Sequence, residues 1–238
     1  MIIGLDIGTS SAKAVAFDYA GNILSQHSIS YPILNPSEGW YEQDPEIVYD
    51  ACIDSIRYVM ISLKRSIAEI PKPVCIAVSS AMHGLIAVDA TGNPLSNCMI
   101  WADRRSEDIA VALETSEVGR LLYQRTGTPI HPMSLLCKLM WMKSNDQKLF
   151  AQSHKFIGIK EFLFYRLFGV YMVDHSIASA TGLFDIHHLR WSDQALSLAG
   201  ISEEQLSSPV PVDYILNMPS REIAALMHIP EDTPFVIG

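Results

Sequence analysis

The chain has 238 residues, 49% of them hydrophobic and only 18% charged, with a mean hydropathy of +0.18. A chain of this length folds as one large domain, or as one domain with insertions, and buries roughly 70–75% of its unfolded surface. Seventeen Lys+Arg against 26 Asp+Glu leave a net charge of -9; with no run of Lys or Arg, that balance excludes a general nucleic-acid binder, gives no attraction to anionic lipid and favours solubility.

The opening run Met1-Ile2-Ile3-Gly4-Leu5 meets an acid at Asp6, which leaves no room for a signal-peptide core. The uncharged stretch between Lys72 and Asp89 contains Ser79, Ser80, His83 and Gly84 and is shorter than the ~20 residues of a membrane helix. A soluble, cytoplasmic protein without a membrane partner is therefore expected. Cys52, Cys75, Cys98 and Cys137 are scattered and read as buried thiols rather than as a disulfide framework or a zinc site.

Ile2–Ile7 reads as a strand, Gly8-Thr9-Ser10-Ser11 as a turn, Ala12–Asp18 as a second strand and Ile23–Ser30 as a third. Such short turns imply antiparallel neighbours. Tyr31–Gln43 is irregular. Asp44-Pro45 then opens a helix, with Asp as cap and Pro at the first position. Its apolar positions Val48, Cys52, Ile56, Val59, Leu63 and Ile67 recur every three or four residues, and it stops before Pro71. Val74–Ser79 and Leu85–Asp89 are strands. Ser106–Asn145 is helical, broken at Gly127-Thr128-Pro129 and at Pro132. A strand over Phe156–Ile159, a helix over Glu161–Phe168, a strand at Tyr171–Val173 and serine-capped helices over Ser192–Ala199 and Ser220–Met227 follow. Pro234–Gly238 is a strand that echoes Ile2-Ile3-Gly4, and it suggests the first strand of a second, similar domain.

The β-β-β-α-β order departs from a doubly wound dinucleotide fold. It resembles a ribonuclease-H-like, actin-like ATPase half-domain: an α/β fold with a β-β-β-α-β-α mixed sheet and helical insertions.

Asp6-Ile7-Gly8-Thr9-Ser10-Ser11-Ala12-Lys13 lies on a strand–turn–strand. Gly8 admits a close approach of backbone to ligand. Backbone N–H groups with the hydroxyls of Thr9, Ser10 and Ser11 can wrap phosphate oxygens, Lys13 adds a cation, and Asp6 is placed to hold Mg²⁺ directly or through water. The alternative is an ordinary hairpin with a polar tip; a Walker A loop is absent. Met82-His83-Gly84 lies on a loop between strands, where His83 can donate to or accept from a hydroxyl, or can simply be satisfied in a tight turn. In Trp101-Ala102-Asp103-Arg104-Arg105, an indole can wall a sugar's C–H face, Asp103 can accept from two hydroxyls and an Arg can pair with a carboxylate; the alternative is a helix start with Asp103 as cap. Of the two arginines, Arg105 reads as the structural one. His131-Pro132-Met133 occupies an irregular connection, and Lys160 sits at a helix start, where its charge opposes the dipole.

These strings resemble the FGGY carbohydrate kinases. The resemblance runs from the Asp6–Lys13 loop through Gly39-Trp40-Tyr41-Glu42-Gln43-Asp44-Pro45, Ser80-Ala81-Met82-His83-Gly84 and Ile100–Ser106. In Thr126–Met133, Gly158–Glu161 and Asp174–Gly182 it is similar to the gluconate kinase branch. It implies two actin-like domains with ATP, Mg²⁺ and the sugar acid gluconate between them. Residues 1–238 would be the N-terminal domain, with the first phosphate loop (Asp6, Gly8, Thr9, Ser10, Ser11, Lys13; Asp6 toward the metal). The acceptor side would hold Met82, His83, Gly84, Trp101, Asp103, Arg104, His131, Met133 and Lys160, with Arg104, His131 and Lys160 as candidate readers of the substrate carboxylate. The general base is expected after Gly238, in the company of a C-terminal ATP-binding domain, so no residue here is assigned that role and the fragment alone is expected to be inactive. A homodimer is left open. Xylulose kinase or another polyol kinase is the alternative within the family. An actin-like ATP-switched assembly protein and a solitary sugar-binding module are the alternatives outside it.

Overall fold

The computed structural model describes residues 1–66, 71–217 and 219–238. In chain order, β1 (Ile2–Ile7), β2 (Ser11–Phe17) and β3 (Ile23–Ser30) form the expected antiparallel meander. After the two-residue β4 (Glu42–Gln43) comes α1 (Pro45–Ser66), with Asp44 Oδ1 accepting from the Glu46 N–H at 2.9 Å. The last apolar position expected for that helix, Ile67, lies outside the described residues. β5 (Ile76–Ser80) returns parallel to β1, and β6 (Ile86–Val88) and β7 (Cys98–Met99) follow.

Alternation along β1 and β2 decides how the sheet is used. Ile3, Leu5, Ile7, Ala12, Ala14 and Ala16 are all buried on one face, beneath the buried stripe of α1. The opposite face carries Gly4, Asp6, Lys13 and Val15. A one-residue slip would exchange the two sets.

The helical region is divided more finely than expected. It contains α2 (Glu107–Glu114), α3 (Glu117–Thr126), α4 (Leu135–Asn145) and α5 (Gln147–Gln152). The additional break falls at Thr115-Ser116, where Ser116 Oγ accepts from the Gly119 N–H at 2.9 Å and caps a new helix. Gly119 is required there, since a Cβ would lie 2.0 Å from the Leu113 carbonyl oxygen. Leu122, Leu136, Leu139, Met142, Phe156 and Phe184 build a second apolar core around α4, separate from the one under α1.

β8 (Lys155–Ile157) pairs with β6, and α6 (Ile159–Phe168) begins two residues earlier than expected. β9 (Met172–Asp174), α7 (His175–Ser179), the β10 (Phe184–Asp185) and β11 (Arg190–Trp191) hairpin and α8 (Asp193–Ala199) follow. β12 (Ser208–Val210) lies parallel to β9, ahead of β13 (Ile215–Leu216), α9 (Arg221–Met227) and β14 (Phe235–Val236). The main sheet has the order β13-β14-β5-β1-β2-β3. This corrects the reading of Pro234–Gly238 as the opening of another domain: Phe235 and Val236 pair with Ile76 and Ala77, so the strand completes the same sheet as Ile2-Ile3-Gly4. Among the described residues no helix is long and apolar enough to cross a membrane.

Candidate functional site

β1 and β5 run parallel, so their carboxyl ends lie together, the usual place for a ligand in an open α/β sheet. Register sets Asp6 opposite Lys13 on one side and Ser79 on the other. Asp6 and Lys13 are exposed and line a depression on the open face with Ser79 and Gly238.

The β1–β2 turn is held from several sides. The Gly8 N–H donates to the Ser11 carbonyl at 2.9 Å, and a Cβ on Gly8 would stand 3.2 Å from that oxygen. The Tyr31 hydroxyl donates to the Gly8 carbonyl at 2.7 Å, and Gln43 Nε2 donates to the Thr9 carbonyl at 2.6 Å. Trp101 Nε1 donates to Thr9 Oγ1 at 2.9 Å. The hairpin that resembles a phosphate loop is thus joined directly to the loop expected to face the sugar. Thr9, Met82, Gly84 and Trp101 line a second depression, and His83, Gly84, Ile159 and Lys160 a third, with Ala81, Gly84 and Ile159 common to both.

His83 adopts φ 67°, a left-handed conformation uncommon for a residue with a side chain. Its Nδ1 is buried without a hydrogen-bond partner. Burial, and then the charge of Lys138, push its pKa below the ordinary histidine value. That shift favours the neutral ring, which has one nitrogen to donate and one to accept. The absence of a side chain at Gly84 serves the protein itself, because a Cβ there would come within 3.0 Å of Cys98 Sγ.

Other expected site residues hold the fold. Asp103, expected to accept from substrate hydroxyls, is buried: Oδ1 accepts from Arg105 Nε at 2.9 Å, and Oδ2 from Arg105 Nη2 and the Tyr41 N–H, both at 2.8 Å. Arg105 also donates to Glu42 at 2.5 Å, and its guanidinium lies 3.8 Å from the Trp40 ring centre, with Trp141 at 5.2 Å. Lys160, expected as a reader of the substrate carboxylate, is 5% exposed and bridges Asp174 Oδ2 at 2.6 Å and the Ile237 carbonyl at 2.7 Å. Its cation is neutralised by the same carboxylate that caps α7 through the Ile177 N–H at 3.0 Å. Arg104 is exposed and paired with Glu107 at 2.5 Å. His131 Nδ1 accepts from the Met133 N–H at 3.2 Å, which closes that connection on itself. Met82 and Trp101 are exposed, and Ser10 and Ser11 stand at the hairpin tip.

Lys138 was missed from the sequence. It is fully buried, and its ammonium donates to the carbonyls of His83 (2.5 Å), Met99 (3.1 Å) and Ile100 (2.8 Å). Burial first of all lowers its pKa to about 8. The signal was present: Leu135-Leu136-Cys137-Lys138-Leu139-Met140-Trp141-Met142 is apolar all round, which marks a buried helix, and a lone cation in one must find partners. Glu42 and Gln43 lie within the Gly39–Pro45 string, where nothing local singles them out.

Residues 1–238 match the family model described as the FGGY family of carbohydrate kinases, N-terminal domain. The chain is 41% identical over 238 residues to a gluconokinase of Bacillus subtilis (strain 168), covering 100% of this chain and 45% of that protein. It is 30% identical over 195 residues to a xylulose kinase of Staphylococcus xylosus, covering 82% of this chain and 39% of the relative. The crystal structure of gluconate kinase from Lactobacillus acidophilus superposes with a TM-score of 0.94 at 30% identity, over 100% of this chain and 47% of that one. The chain thus spans about half the length of the relatives it matches.

Proposed function

The chain belongs to the FGGY family of carbohydrate kinases, as its N-terminal domain, and from that premise we propose that it forms the acceptor-binding half of a kinase that transfers the γ-phosphate of ATP to gluconate, giving 6-phosphogluconate and ADP. What supports the reading is the hydrogen bond from Trp101 to Thr9, which sets an exposed aromatic wall against a half-buried polar hairpin. Phosphoryl transfer asks a protein mainly for positioning and charge stabilisation. Lys13 and the Thr9–Ser11 hydroxyls and amides would receive phosphate oxygens; Trp101, Met82 and His83 would receive the acceptor. A second domain would supply the adenosine pocket and the base that takes the hydroxyl proton, and closure of the two would exclude water.

Mg²⁺ binds oxygen ligands, keeps several waters and commonly uses one or two carboxylates with substrate phosphates. Among the described residues no group of three or more His, Cys, Asp or Glu could hold a metal. The lone exposed carboxylate of Asp6 at the strand end fits an ion held largely by phosphate and water. When bound, the ion would neutralise charge on the phosphates.

The test is an acceptor panel on the full-length kinase, with ADP release as readout. Gluconate should give the highest kcat/KM. A xylulose or other polyol value more than tenfold above that for gluconate would overturn the substrate assignment, and ATP-driven polymerisation without acceptor turnover would overturn the kinase reading.

A further inference from the structure

Two of the loops at the site contribute backbone, not side chains, to one buried cation. The three N–H bonds of the Lys138 ammonium are all used, each on a main-chain carbonyl. One belongs to His83, in the loop after β5. The other two belong to Met99 and Ile100, immediately before Trp101. Among the described residues no carboxylate forms an ion pair with it; Asp103, whose charge acts on it, is held by Arg105.

This arrangement does not serve packing. An apolar side chain would fill the same space in the second core without bringing a charge out of water. What the ammonium supplies is convergence: three carbonyl dipoles that repel one another when bare are drawn to one point. His83 is the residue most in need of it. Its left-handed backbone has no glycine to make it easy, its ring lines the third depression, and its unpartnered Nδ1 gives the ring no anchor of its own at that atom. A change at the His83 peptide would therefore swing the ring.

We propose that Lys138 is a positioning residue of the acceptor site: by gathering the His83, Met99 and Ile100 carbonyls on one ammonium, it fixes where His83 and Trp101 stand relative to each other. The inference rests on the kinase reading above and adds to it a residue that touches no substrate.

The experiment uses Lys138→Met and Lys138→Gln in the full-length kinase. KM is measured for gluconate and for ATP, and the acceptor Kd is measured by calorimetry without nucleotide. Lys138→Met, similar in length but without a donor, should raise the acceptor KM and Kd at least tenfold and leave the ATP KM within about twofold. Lys138→Gln, which keeps an uncharged donor, should fall between it and the wild type. Equal shifts in both KM values, an acceptor KM within twofold of the wild type, or failure of both variants to fold would overturn the positioning role. If the wild type prefers another acceptor in the panel, the substrate assignment fails by itself, and the same ratio is read with the preferred acceptor.

Discussion

The β1–β2 hairpin and the segments facing it are joined by hydrogen bonds from Trp101 and Gln43 to Thr9, yet they treat charge in opposite ways. Asp6 and Lys13 are exposed, and among the described residues neither takes part in an ion pair. Across the cleft, Asp103, Arg105, Lys138, Lys160 and Asp174 are buried, or nearly so, and every one of them is bonded inside the protein. A charge without an internal partner remains available to a ligand, whereas a buried, partnered charge fixes backbone at the cost of desolvation. The hairpin should therefore be open to change in stability terms and sensitive in turnover, and the braced side the reverse.

The largest effect should come from Arg105→Ala. Its side chain is 3% exposed between Asp103 and Glu42, and removing one partner of a buried ionic group costs about 3–5 kcal/mol. Melting of the full-length kinase should drop by roughly 6–20 °C, taking about 2–4 °C per kcal/mol for a domain of this size. A fall of under 3 °C would dissolve the contrast between the two sides.

Asp6→Asn should do the opposite. Melting should stay nearly constant, because no internal bond is lost, while kcat falls at least a hundredfold, about 2.7 kcal/mol of barrier. The gluconate KM should move far less. A kcat within threefold of the wild type would take Asp6 away from the phosphates.

His83→Ala probes the seam between the regions. The residue sits on the braced side, but its Nδ1 has no internal partner. The acceptor KM should rise about tenfold, near 1.4 kcal/mol, with the ATP KM nearly unchanged and a smaller loss of stability than for Arg105→Ala. A rise in the ATP KM alone would move His83 to the nucleotide side.

The same contrast explains what could be read in the sequence. The hairpin, its flanking strands and α1 follow from neighbours in sequence: alternation over Ile2–Ile7, a Gly-centred turn, Asp44-Pro45 as a helix start. The four-string resemblance made the family legible as well. The braces join residues far apart. Arg105 meets Glu42 63 positions away, and Lys160 meets Ile237 77 positions away. No local period encodes such pairs, so the sequence marks Asp103 and Lys160 as candidate substrate ligands, whereas the structure shows their charges bonded within the fold. The break at Ser116 was local and legible in principle, since a serine three residues before Gly119 is a capping pattern.

The smallest effect concerns Glu161, at the first turn of α6 and buried beneath the acceptor loops. Its Oε2 accepts from the Gly158 N–H. Burial, with the charge of Asp174, raises its pKa from the ordinary carboxylate value to about 7, against the hydrogen bond from Gly158 and the charge of Lys160, which pull the other way. The folded protein thus holds this proton more tightly than the unfolded chain does. The resulting stability is fully present below about pH 4.5 and is lost as pH rises through about 7. Glu161→Gln keeps an oxygen for the Gly158 N–H and stays uncharged at every pH, so it should lack this component of the pH dependence. Melts of both proteins at pH 5, 6, 7 and 8 should show the variant gaining on the wild type as pH rises, by a few degrees at most, since 1 kcal/mol is worth about 2–4 °C here. Parallel profiles would mean that Lys160, the cation next to Glu161 in sequence, already keeps it ionised at pH 5, and the pair would then belong with the fully charged braces rather than apart from them.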